Sequence, residues 1–208
     1  MRFEGSDTVR AIRYHRYHPV MWPWGHLAVG YLSYTVAVRL FRGRRERAAL
    51  LALVVGTQFP DVVDKPLAWV GFLPYGRSLA HSLLVLVPLC LVVVVVARRR
   101  TRTRTGTAFA LGALTHTLTD AWHGIVTLDP GRLSFLLWPY LPSPDDGGVG
   151  TPGGHADRLA SEVDTSHAGA GGLVDVVQSE PVGQLLLLAV AVVVWIAEGT
   201  PGLPGRGR

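Results

Sequence analysis

Long stretches without a charged side chain constrain the fold of this chain more than any other feature. Two of them, LLVLVPLCLVVVVVA and LLLLAVAVVVWIA, would be apolar on every side of a helix. A surface helix of a soluble protein needs a polar face, and these runs offer none. Charged residues make up 17% of the 208 residues, whereas soluble domains carry about 25%. The pattern predicts a membrane protein and argues against a disordered chain.

Five segments come near the length of about 20 apolar residues that a transmembrane helix needs. They cover residues 24–41, 48–63, 79–97, 106–128 and 182–197. The sequence therefore predicts an all-α fold, a polytopic membrane bundle of about five transmembrane helices. A long loop rich in Gly, Pro and Asp precedes the last helix. The alternative is a soluble helical protein with unusually apolar core helices.

Arginine placement predicts how the bundle is oriented. Arginines cluster between the first and second segments and between the third and fourth, and they recur after the fifth. The positive-inside rule places these connections in the cytoplasm. Segment 142–181, which is acidic and has no apolar periodicity, is then a mobile extracytoplasmic loop. We expect a multi-pass protein of the cytoplasmic (inner) membrane.

The predicted organisation has four parts. Residues 1–21 form a leader whose four arginines conflict with this orientation, so we expect translation to start at Met21. Residues 22–141 form the membrane core with the candidate site. Residues 142–181 form the acidic loop, and 182–208 form the last helix with a basic tail.

Ionisable side chains inside membrane helices are costly and usually mark a functional site. Here they stand near the ends of four different segments: His26, Asp61, Asp64, His81, His116 and Asp120. With the orientation set by the arginines, all of these ends approach the external face. We therefore expect the imidazoles and carboxylates to meet in one pocket near the outer leaflet.

The spacing within the fourth segment favours a metal site. His116 and Asp120 are four residues apart, so they share one helix face. Imidazole nitrogens and carboxylate oxygens without thiolate suit zinc, manganese or iron, and the single Cys90 excludes a cysteine cluster. Simpler roles remain open, such as a helix cap for Asp61 after Pro60. Arg77 either binds an anionic oxygen or anchors in the headgroup region.

Taken in order, these motifs resemble the YdjM-like family, known as LexA-binding, inner-membrane-associated metal-dependent hydrolases. The resemblance covers roughly residues 22–141 and rests on WGHLAVGYL, FPDVVD, RSLAHS, HTLTD and LWP. It implies a multi-span membrane protein with a hydrolase site. By position, the metal and catalytic groups would be His26, Asp61, Asp64, His81, His116 and Asp120. The long loop and the arginine-rich leader depart from the compact form of this family.

We interpret the chain as a membrane-bound hydrolase that acts through metal-activated water on a lipid or lipid-linked phosphoester. One or two divalent ions, zinc or manganese, would be held by His26, His81, His116 and Asp120. Asp61 or Asp64 would complete a second metal site or act as general base. Arg77 would stabilise negative charge as it develops.

Two other functions remain open. The same residues suit a non-enzymatic metal-binding or transport protein. The family name implies a cytoplasmic protein partner, which the arginine run at 98–104 would meet. Anionic lipid headgroups explain that run more simply, so membrane lipids are the expected partners. No recognition helix is evident, and no nucleic acid partner is expected.

Overall fold

A computed structural model describes residues 21–144 and 181–203 of the chain. Its elements are α1 (Pro23–Leu40), α2 (Arg47–Trp69), α3 (Leu83–Arg99), α4 (Thr103–Val126), α5 (Pro130–Leu133), a 3-10 turn (Ser134–Leu137) and α6 (Pro181–Ala197). No strand occurs in these two ranges. The prediction of an all-α fold is confirmed.

Every predicted apolar segment corresponds to one of the long helices. The main differences are that α2 continues past residue 63 to Trp69 and that α3 begins at Leu83 instead of residue 79. The later start of α3 has a local cause. Backbone N–H groups of Ser78, Ala80 and His81 donate to the Asp64 carboxylate, so this stretch forms a turn ahead of the helix.

The prediction that these helices span a membrane is not supported by the structure. In residues 21–144 and 181–203, no helix has both the length and the apolar character that crossing a membrane requires. Residues 1–20, 145–180 and 204–208 lie outside the described part of the chain. The predicted leader, nearly all of the acidic loop and the end of the basic tail fall there, and their assignments stay predictions.

The core forms where α2 and α4 pack with their backbones in contact. A Cβ atom at Gly56 would lie 2.2 Å from the Phe109 carbonyl oxygen, and one at Gly112 would lie 2.6 Å from the Leu53 carbonyl oxygen. Only glycine fits at these two positions. On the other side of α4, α3 contributes Leu86 and the buried Cys90 to a second apolar cluster. The close approach of α2 and α4 also brings their polar residues together.

Replacing Gly112 by alanine is expected to destabilise the protein, because the added methyl group would overlap the α2 backbone. Overpacking of this kind costs about 1–3 kcal/mol. The measurement is thermal unfolding of the purified protein, followed by circular dichroism. Gly43→Ala is the control, since a Cβ atom there would meet Val38 at an ordinary 3.7 Å. A melting temperature as high in Gly112→Ala as in the control variant would contradict the close packing.

Helix α6 is held against α1 by polar contacts at both ends. Near its start, the buried Gln184 accepts a hydrogen bond of 2.7 Å from the backbone N–H of Trp22. Just after its end, Glu198 accepts from the Tyr31 hydroxyl at 2.9 Å and pairs with Arg45 at 2.5 Å. These contacts fix a helix that is distant in sequence against the first helix of the bundle.

Candidate metal centre

Three elements bring four ligand side chains to one buried position. Helix α2 contributes Asp61, the turn before α3 contributes His81, and α4 contributes His116 and Asp120. One ligand atom from each residue lies within 4.8 Å of the other three. Both histidines are fully buried, and the Asp120 side chain is 10% exposed. This cluster could hold a metal ion.

The position of the ring proton on His81 follows from its contact with Asp64. His81 Nδ1 lies 2.8 Å from Asp64 Oδ2. The Asp64 carboxylate already accepts the backbone N–H groups of Ser78, Ala80 and His81, so it acts here as an acceptor only. Nδ1 therefore carries the hydrogen, and in the neutral ring Nε2 carries a free lone pair. A carboxylate behind a histidine in this way is typical of a metal ligand.

The same reasoning applies to His116. Its Nδ1 lies 2.7 Å from the Thr57 carbonyl oxygen, which can only accept a hydrogen bond. Its Nε2 therefore also carries a lone pair, and it faces His81 Nε2 at 3.1 Å. At 3.1 Å, a proton on either nitrogen makes this contact a hydrogen bond, and a metal ion that replaced the proton would be held by both lone pairs. Neutral imidazoles fixed in this orientation are prepared to bind a metal ion.

The two carboxylates complete a compact set of four donors. Asp61 Oδ1 lies 3.6 Å from His81 Nε2 and 3.7 Å from His116 Nε2. Asp120 Oδ2 lies 3.4 Å and 3.9 Å from the same two nitrogens. Four ligands at zinc bond lengths of about 2.0–2.2 Å stand about 3.4 Å apart in a tetrahedron. The five distances that involve a histidine nitrogen lie between 3.1 and 3.9 Å, and all the ligand atoms lie within 4.8 Å of one another, so the residues fit a divalent ion.

Two cationic side chains flank the cluster. Lys65 Nζ contacts Asp61 Oδ2 at 2.6 Å, and Arg77 Nε lies 4.0 Å from Asp120 Oδ2. The Arg77 guanidinium also lies 5.9 Å from the centre of the Phe135 ring. Arg77 thus lies beside the cluster, and its two predicted roles, anion binding and headgroup anchoring, both stay predictions. Sequence reasoning missed Lys65, although its position four residues after Asp61 on the same helix was an available signal.

The remaining predicted residues lie immediately behind or beside the four donors. Asp64 is fully buried and contacts the Nδ1 side of His81, away from the Nε2 atom that faces the other ligands. The His26 ring stacks on the His116 ring, with 3.7 Å between their centres. The structure therefore gathers all the predicted site residues in one region. Asp64 lies behind His81 and not among the four donors, so its contacts suit a positioning role.

A short segment after α4 covers the cluster. Phe135 is fully buried, and its ring centre lies 6.1 Å from that of His81. The Ser82 hydroxyl donates to the Trp138 carbonyl oxygen at 2.6 Å, which ties this segment to the turn that carries His81. The LWP motif thus reaches the site through a backbone contact. Sequence reasoning could not find contacts made by carbonyl groups, such as those of Thr57 and Trp138, because any residue type supplies them.

The fold and the site together define an all-helical protein with a buried Asp/His cluster that could hold a metal ion. A family comparison agrees with the sequence motifs. The chain belongs to the YdjM inner membrane protein family, whose model matches residues 21–198. The match confirms the resemblance and extends it through α6. Neither the curated proteins nor the solved structures contain a significant match to this chain.

Proposed function

We propose that this protein is a metal-dependent hydrolase of the cytoplasmic membrane, with its site near the outer leaflet and a lipid or lipid-linked phosphoester as substrate. One observation carries the proposal: the Nε2 atoms of His81 and His116 face each other across 3.1 Å, beside two carboxylates. Membership in an inner membrane protein family supports the location in the membrane.

The four donors suit manganese or zinc, and the two metals differ in what they leave open. A tetrahedral zinc ion with four protein ligands has no free position, whereas catalytic zinc keeps one. Manganese favours octahedral coordination, so four protein ligands leave two positions for water and substrate. When bound, a divalent ion supplies Lewis acidity and makes hydroxide available near neutral pH. If the site hydrolyses a substrate, manganese is therefore the expected metal, since it leaves coordination positions open.

Charge balance around the cluster supports an anionic substrate. Three carboxylates, those of Asp61, Asp64 and Asp120, stand against the cations Lys65 and Arg77. With the histidines neutral, these groups sum to one net negative charge, and one divalent ion turns it into one net positive charge. A phosphodiester group carries a negative charge, which a net positive site attracts. Lys65 and Arg77 have side chains that are 23% and 18% exposed, so they are placed to bind its oxygens.

A non-enzymatic metal-binding protein is the second candidate. The observation that favours it is the number of protein ligands, because four donors close a tetrahedral zinc site. Such a protein would bind zinc tightly and would hydrolyse no ester. Metal preference and hydrolysis therefore separate the two functions.

The test measures hydrolysis of phosphodiesters by the purified full-length protein in lipid nanodiscs. The probes are bis(p-nitrophenyl) phosphate and a fluorescent phospholipid. We expect a chelator to abolish hydrolysis and manganese to restore it more fully than zinc. His123→Ala, a histidine of α4 outside the set of four donors, is the control and should behave as wild type. Tight zinc binding without hydrolysis under any metal would favour the non-enzymatic function instead.

A further inference from the structure

His26 is a buried histidine that the four-donor cluster does not use. It is 1% exposed, and its Nδ1 lies 2.9 Å from the Thr119 hydroxyl. That hydroxyl donates its own hydrogen to the His116 carbonyl oxygen at 2.7 Å, so it accepts from His26 Nδ1. In the neutral ring, Nε2 is left with a lone pair. In His26, as in His81 and His116, a hydrogen bond donated by Nδ1 thus leaves the lone pair on Nε2.

The Nε2 atom of His26 faces the Oδ1 atom of the Asp120 carboxylate. His26 Nε2 lies 3.4 Å from Asp120 Oδ1, whereas His81 and His116 face the other oxygen, Oδ2. Two acceptor atoms thus stand 3.4 Å apart in a buried place, as they do within the four-donor cluster. This separation again matches two ligands of one divalent ion.

The stacking of His26 on His116 brings the two positions close together. Their ring centres are 3.7 Å apart, and the ring planes differ by 21°. Both Nε2 atoms approach the same carboxylate, one at each oxygen. Ions bound by the two rings would therefore share the Asp120 carboxylate and lie close to each other. Two-metal sites have their ions about 3.5–4 Å apart.

We propose that Asp120 bridges two divalent ions, the first in the four-donor cluster and the second between His26 Nε2 and Asp120 Oδ1. This inference rests on the metal centre of the proposed function. The second ion has two protein ligands, so it binds more weakly than the first. Its open positions suit water and the phosphate oxygens of a substrate, an arrangement common for weakly held divalent ions.

The experiment titrates the metal-free full-length protein in detergent with manganese. Bound metal is counted by mass spectrometry, and the spins are observed by electron paramagnetic resonance. We expect two ions per chain, the second in a weaker step, and an exchange-coupled spectrum at saturation. His26→Phe keeps a ring against His116 without the lone pair, so it should bind one ion with an uncoupled spectrum. His123→Phe is the matched control and should keep both ions.

Two results would overturn the bridge. One is a wild-type protein that saturates at a single ion, as expected if His26 and Asp120 form only an ion pair. The other is a coupled spectrum in His26→Phe. If that variant does not fold, the wild-type spectrum and metal count decide alone. Hydrolysis with one ion per chain would reject the bridge and leave the proposed function standing, while two coupled ions without hydrolysis would do the reverse.

Discussion

A chain with alanine in place of both His116 and Asp120 is expected to lose its tightly bound metal and its hydrolytic activity together. These two residues supply half of the four donors, and both come from α4. Loss of a group that only orients a metal ligand costs about 10–100-fold in metal affinity or activity. Loss of two direct ligands should lower metal affinity and activity by more than about 100-fold, which is the upper end of that range.

Metal content of the purified variant and its hydrolysis of a phosphodiester are the two measurements. The matched control is Leu118→Ala with Trp122→Ala, two exposed residues on the same helix. That double variant should keep its metal and its activity. A His116→Ala, Asp120→Ala protein with a full metal load would show that the ion is bound elsewhere, and the hydrolase proposal would lose its basis.

The helices were predictable because their signal is continuous in the sequence. The runs that became α3 and α6 contain no charge over their central residues, and no other regular structure accommodates such runs of this length. The sequence also predicted that histidines and aspartates from different segments would meet, and Asp61, His81, His116 and Asp120 do lie in one cluster. That inference needed only the arginine distribution and helix periodicity.

The separate roles of the site residues could not be predicted in the same way. Asp61 and Asp64 stand three residues apart on one helix, and the sequence left both as candidates for the same roles. Their difference comes from the turn before α3, whose backbone N–H groups reach Asp64 and not Asp61. Likewise, the tautomer of His116 depends on the Thr57 carbonyl, which has no signature in the side-chain sequence. Such contacts depend on tertiary packing.

Asp64→Asn is expected to be the most destabilising single substitution in the site. The carboxylate is fully buried and accepts four hydrogen bonds, three from the backbone and one from His81. An amide of the same shape retains one acceptor oxygen, and its NH2 group would face donors. With the amide oxygen at the Oδ2 position, the Ala80 N–H and the new NH2 group are left without acceptors; buried donors without partners cost about 1–3 kcal/mol each, so we expect a loss of at least about 2 kcal/mol. The melting temperature measures it.

Comparison with His81→Ala separates positioning from direct ligation. His81→Ala removes a donor from the cluster but leaves Asp64 with its three backbone partners, so it should abolish metal binding with the smaller loss of stability. Asp64→Asn should show the opposite balance, with metal affinity reduced about 10–100-fold because His81 is no longer held in place. Equal losses of metal affinity in the two variants, with an unchanged melting temperature in Asp64→Asn, would instead make Asp64 a direct ligand. The turn before α3 would then owe its shape to something other than this carboxylate.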